Sequence, residues 1–141
     1  MYFDTSYMAK FYFNEPESKR VRELVRKADV IYSSVWAMAE FHAVLHRRLR
    51  EGAASADDIL RLASSFDRHL EEGLWSLIPI TESLLRRTSA QVLSAPRDLF
   101  LRTAGAVHLV TAREIGEREV WTNDRHMLQA AGYFGLVGRV F

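Results

Sequence analysis

The sequence predicts an α/β domain, with a mostly parallel sheet of four to five strands covered by helices on both faces. Three observations predict it. Short apolar runs alternate with longer segments of helical period along the whole chain. Joining such strands in parallel requires crossovers, and right-handed crossovers bring the C-terminal tips of the strands to one edge. The 141 residues contain no repeat, linker or low-complexity stretch, which makes residues 1–141 one domain.

The elements follow in order. Met1-Tyr2-Phe3 is a short strand that delivers Asp4 to its tip, and Thr5 and Ser6 open a helix. Tyr7, Met8, Phe11 and Tyr12 give that helix its apolar spacing, and Asn14-Glu15-Pro16 breaks it. Pro16 suits the first turn of the next helix, which runs to about Ala28 on the stripe Val21, Leu24, Val25. Val30-Ile31-Tyr32 is the second strand. Ser33 or Ser34 caps a long helix to about Arg50, ended by Gly52. Ser55 starts a helix that Gly73 stops. Leu74 to Ile80 is a third strand, and Thr81 caps a helix to about Leu93. Asp98 is expected to cap a helix from Leu99 to about Gly116. Glu119 to Thr122 is a fourth strand, Asp124 to Ala131 a short helix, and Leu136 to Phe141 a fifth strand at an edge.

Composition narrows the chemistry. Hydrophobic residues at 48% and charged residues at 26% are ordinary for a globular protein in water. Cysteine is absent, so disulfides and thiolate metal sites are excluded, and a reducing compartment is the natural setting. No apolar run approaches a membrane span, and Asp4 interrupts the place where a signal peptide would be apolar. The expected location is the cytoplasm. A net charge of +1 sets up no overall field toward nucleic acid. The basic residues are mostly arginine, however, and arginine suits bidentate recognition of phosphate or carboxylate.

Asp4 and Asp124 both fall at strand tips, on the edge where open α/β sheets bind ligands. Asp4 also suits an N-cap. Glu40 sits in Val35-Trp36-Ala37-Met38-Ala39-Glu40-Phe41, among apolar neighbours. An ionised carboxylate there costs several kcal/mol unless a base or a shared cation compensates. A position near a helix N-terminus is the simpler account of Glu40. Three converging carboxylates without histidine or cysteine suit a hard cation, Mg²⁺ or Mn²⁺. Such an ion polarises a phosphoryl oxygen and generates hydroxide, so these residues point to metal-dependent phosphoester chemistry.

The opening Tyr2-Phe3-Asp4-Thr5-Ser6, with Lys10 and Asn14-Glu15-Pro16, resembles the PIN domain, in particular VapC-type toxins of toxin–antitoxin pairs. So do Ala39-Glu40, Leu101 to Leu109, and Trp121-Thr122-Asn123-Asp124-Arg125, in order along nearly the whole chain. The resemblance implies a PIN-like three-layer α/β/α fold and a Mg²⁺- or Mn²⁺-dependent ribonuclease. It also implies a cognate antitoxin partner and a homodimer. By resemblance, Asp4, Glu40 and Asp124 are metal-site and catalytic acids, and Ser6 and Asn123 are polar positions beside them.

Gly105 departs from the pattern, which has an aspartate there. The glycine, natural or introduced, costs about 1 kcal/mol relative to alanine in a helix, and Asp98 lies about 10 Å away along the helix, too far to replace it. Gly105 leaves a second reading open: a PIN-like protein that binds RNA or antitoxin without cutting. A phosphoacceptor receiver domain is disfavoured, because Leu74 to Ile80 carries no acid. His42 and His46 share a helix face but lack a third ligand. His108 is expected to be a hydrogen-bonded core residue. Arg47, Arg48 and Arg50 suit either a solvated helix end or phosphate contact. Tyr7, Phe11, Tyr12 and Trp36 are candidates for a partner surface or for the core.

Overall fold

Tyr2 and Phe3 set the architecture, because successive residues of a strand face opposite sides of the sheet. In the computed structural model, which describes residues 1–141, both are fully buried, and they enter two different cores. Their strand, β1 (Tyr2–Phe3), is central in a five-stranded parallel sheet of order β3-β2-β1-β4-β5. The others are β2 (Tyr32–Ser34), β3 (Ser76–Ile78), β4 (Glu119–Trp121) and β5 (Val137–Arg139). Tyr2 pairs with Tyr32 on one side and Val120 on the other.

Phe3 packs with helices α1 (Thr5–Tyr12), α2 (Ser18–Lys27), α3 (Trp36–Arg50) and α4 (Ala56–Glu71). Tyr2 packs with α5 (Glu82–Leu93), α6 (Thr103–Glu114), α7 (Arg125–Ala130) and the 3-10 turn Ala131–Phe134. The result is three layers, α/β/α, as the sequence predicts. No helix is long and apolar enough to cross a membrane.

Several local expectations hold for the expected reasons. Ser55 and Asp58 form a reciprocal capping box, Thr81 caps α5, and β5 lies at an edge. Others are corrected. Helix α2 begins at Ser18, so Pro16 lies in the preceding turn. Glu17, the one non-glycine residue with positive φ (64°), closes that turn and is held by Lys10 Nζ at 2.7 Å. Strand β2 is shifted to Tyr32–Ser34, because Ser33 and Ser34 are fully buried while Val30 is exposed. Ser34 Oγ still accepts from the Trp36 amide at 3.2 Å, beside the start of α3. Asp98 caps nothing. The Leu99 amide bonds back to Pro96 O at 2.9 Å, Leu99 to Arg102 run without regular structure, and α6 starts at Thr103.

Strand order reverses between β1 and β4. Open α/β sheets place their crevice beyond the strand ends at such a reversal. Asp4 follows β1 directly, and Asp124 follows β4 after two intervening residues.

Candidate functional site

Asp4 is both a cap and a cleft residue. Its Oδ1 accepts from the Tyr7 amide at 3.0 Å and from Ser6 Oγ at 2.6 Å. Its Oδ2 accepts from Thr122 Oγ1 at 2.5 Å. The side chain is 5% exposed, and burial pushes its carboxyl above the usual range. The His108 ring and the three hydrogen bonds offset that burial only in part. No lysine or arginine pairs with it, so the deepest acid of the crevice lacks a cationic partner.

Glu40 reaches the crevice from the second turn of α3. Its Oε2 accepts from Thr5 Oγ1 and contacts His108 Nε2 at 2.9 Å. The other ring nitrogen of His108 meets the Tyr2 hydroxyl at 2.8 Å. Burial raises the Glu40 pKa, but the His108 ring, Thr5 and Trp36 outweigh it and hold the carboxyl below the usual range. Glu40 therefore stays ionised beside Asp4. His108 is the hydrogen-bonded core residue expected, 2% exposed, and its bond to Glu40 also ties the core to the crevice.

Asp124 caps α7, with Oδ1 accepting from the His126 amide at 2.7 Å and from Met127 N at 3.4 Å, which leaves Oδ2 free. Thr122 couples the two aspartates: its hydroxyl donates to Asp4 and accepts from the Asp124 amide at 2.9 Å. Ser6 does the same across the other side, donating to Asp4 and accepting from the Asn123 amide at 2.9 Å. From sequence, Thr5 is expected only at a helix start and Thr122 only at a strand end, not as partners of the acids. The signal available was a hydroxyl residue beside each acid-bearing strand tip.

Asp4, Ser6, Glu40, Asn123 and Asp124 all line one open cleft of about 370 Å³, with Arg47, Arg48 and Arg102 also in its wall. Arg48 is paired with Glu15 and lies 3.8 Å over the Phe13 ring. Arg47 and Arg102 form no ion pair within the chain. His42 and His46 are exposed, and His42 Nδ1 meets Met38 O at 2.8 Å. No three acidic or histidine side chains stand close enough to grasp one ion. The carboxylates share the cleft, but each is turned toward its own donors.

Gly105 also lines the cleft, beside His108. A Cβ built there would meet Met127 Cγ at 2.9 Å and Leu101 Cδ1 at 3.5 Å. Met127 is 2% exposed, and its sulfur lies 3.7 Å from Thr122 Oγ1. A buried thioether thus fills the space where a side chain at 105 would begin.

The profile of the PIN domain family matches residues 1–133. This chain belongs to the PIN domain family. Twelve solved chains match it structurally. One is the Mycobacterium tuberculosis toxin VapC20, described as cleaving the sarcin–ricin loop, with a TM-score of 0.72 at 15% identity. The match covers 96% of this chain and 98% of that one. At that identity the likeness establishes a shared PIN fold. No curated protein matches by sequence.

Proposed function

We propose that this PIN-domain protein is a divalent-metal-dependent endoribonuclease toxin of the VapC type, neutralised by a cognate antitoxin. One observation carries the reading: Asp4, Glu40 and Asp124, from two strand tips and a helix start, open into one cleft walled by arginines. Arginine forks suit the phosphates of an RNA substrate. VapC20, which has the same fold, is an RNA-cleaving toxin by its description.

The oxygen donors fit Mg²⁺ or Mn²⁺ held by one or two carboxylates, with water completing the shell. Asp124, with its free oxygen, and the ionised Glu40 are the candidates for direct contact, and Asp4 supplies buried negative charge behind them. When bound there, such an ion would supply Lewis-acid polarisation of a phosphoryl oxygen and activation of water. The chain's own part is to fix the carboxylates through Thr5, Ser6, Thr122 and His108, and to hold phosphate at Arg47 and Arg102. Ser6, itself held by the Asn123 amide, orients Asp4. A protein partner and a second copy have exposed apolar surface available at Trp36 and Met38 at the start of α3.

Gly105 favours a second reading, a PIN protein that binds RNA or antitoxin without cutting. RNA digestion by the purified chain in Mn²⁺ and in EDTA separates the two. Cleavage only with Mn²⁺, reduced about 100-fold or more in Glu40→Gln and Asp124→Asn, is the expected result. RNA binding with no cleavage in any divalent ion would establish the second reading. Absence of both RNA binding and cleavage would overturn the first reading and the RNA-binding form of the second, leaving antitoxin binding.

A further inference from the structure

Between α5 and α6 the chain runs without regular structure from Leu99 to Arg102, where the sequence predicted helix. The segment has a period of two. Leu99 and Leu101 are half-buried and pack against the core around Tyr2, while Phe100 and Arg102 face outward. Two outward residues in an extended segment stand about 7 Å apart. Arg102 lies in the wall of the cleft, and Phe100 is 55% exposed just outside it.

Phe100 is not a stray surface hydrophobe of the kind every protein carries. Its ring is backed by His126, with centroids 4.4 Å apart and planes tilted by 53°. His126 is fixed in turn by its amide on Asp124 Oδ1 at 2.7 Å. The aromatic platform is therefore tied to a carboxylate of the cleft. Arg125, also exposed, places Nε at 3.4 Å from His126 Nε2, and neither Arg102 nor Arg125 has a carboxylate partner. Leu93 is more exposed, at 89%, but its helix neighbours Arg86 and Arg87 are paired with Glu82 and Glu114.

We propose that the lip Leu99–Arg102 positions single-stranded RNA beside the cleft, with Phe100 stacking on a base and Arg102 holding a neighbouring phosphate. This rests on the reading of the cleft as a site that acts on RNA. Exposed aromatics interleaved with unpaired arginines are the usual means of holding single strands, because every base has a face to stack. A ring already held by His126 loses little freedom on stacking.

The test is binding of a short single-stranded RNA carrying 2-aminopurine, measured by anisotropy and by aminopurine quenching in EDTA, where nothing is cut. Phe100→Ala is expected to weaken binding about 5- to 150-fold and to relieve the quenching. Phe100→Trp should preserve both, and Leu93→Ala should change neither. Arg102→Gln should flatten the slope of log affinity against log salt by about 0.7. If wild type binds RNA and a folded Phe100→Ala binds as tightly with the quenching intact, the lip proposal is overturned and the RNA reading of the cleft stands. If wild type binds no RNA, both fall.

Discussion

Gly105→Asp restores the acid that the PIN pattern expects, and the structure says what it meets. The new Cβ would lie 2.9 Å from Met127 Cγ, well inside ordinary contact. Met127 is 2% exposed, so it has little room to yield. Overpacking of this kind costs about 1–3 kcal/mol. Replacing a helical glycine with aspartate returns only about 0.3 kcal/mol. The new carboxylate also lines the cleft with Asp4, which raises the pKa of both while no cation is bound. The expected net loss is about 1–3 kcal/mol, a fall in Tm of roughly 3–15 °C for a chain of this length. Saturating Mn²⁺ should recover much of it, since an ion at about 100 times its Kd stabilises by about 2.7 kcal/mol. Thermal denaturation in EDTA and in Mn²⁺ measures both effects, with Gly105→Ala as the uncharged control. Adding Met127→Ala to Gly105→Asp should cost less than the sum of the single changes, because the space is shared. Two results would refute the reasoning. A Gly105→Ala variant about 1 kcal/mol more stable than wild type would mean that Met127 does not obstruct position 105. A Gly105→Asp variant that gains no more from Mn²⁺ than Gly105→Ala would place the position outside any ion site.

Asp4→Asn keeps a good N-cap but removes a charge that burial disfavours. Because the folded-state pKa of Asp4 is raised, its ionisation costs stability as pH climbs from the ordinary carboxylate range through that raised value. In EDTA the variant should therefore have the higher Tm at neutral pH, with the gap closing in acid; a wild type more stable at every pH would contradict this. His69 runs the opposite way. Burial and Arg68 hold its pKa below the ordinary value, and its Nδ1 lies 2.9 Å from the Tyr12 hydroxyl. Stability tied to the neutral ring is fully present above about pH 6.5 and is lost as pH falls from there through the lowered folded-state pKa. His69→Gln should flatten the Tm profile there, and an unchanged acid limb would remove His69 from the account.

The fold was legible because parallel strands and their helices leave strong local signals. Tyr2-Phe3 reads as a buried strand, and Ser55 and Thr81 read as caps that the structure confirms. Convergence of Asp4 and Asp124 on one cleft was legible from strand-tip topology, and that of Glu40 from the adjoining helix start and the resemblance. The errors fall where local chemistry competes with pattern. Ser33 and Ser34 look like a helix start, yet their backbones complete the ladder to β3. Leu99 to Arg102 looks helical by composition, but its inward and outward residues alternate. The orientation of the carboxylates was not legible. It depends on Thr122 and Ser6 joining β4 to the start of α1, contacts between residues more than a hundred positions apart. Met127 filling the space at Gly105 is invisible in sequence for the same reason.

The bonding pattern gives the departure at Gly105 a physical meaning under the proposed function. Each acid is locked by its own donors: Asp4 by three, Glu40 by Thr5 and His108, Asp124 by two amides of α7. Locked carboxylates have already given up their freedom, so an arriving cation does not have to order them. They also cannot swing apart to relieve repulsion when no cation is present. A fourth acid at 105 would sharpen that repulsion, in a crevice where burial already pushes the Asp4 carboxyl above the usual range. A thioether in its place adds dispersion contacts and no charge. The Gly105–Met127 pair thus favours the ion-free protein, and the corresponding cost falls on ion affinity. Stability in EDTA and affinity for Mn²⁺ should therefore move in opposite directions at this one position.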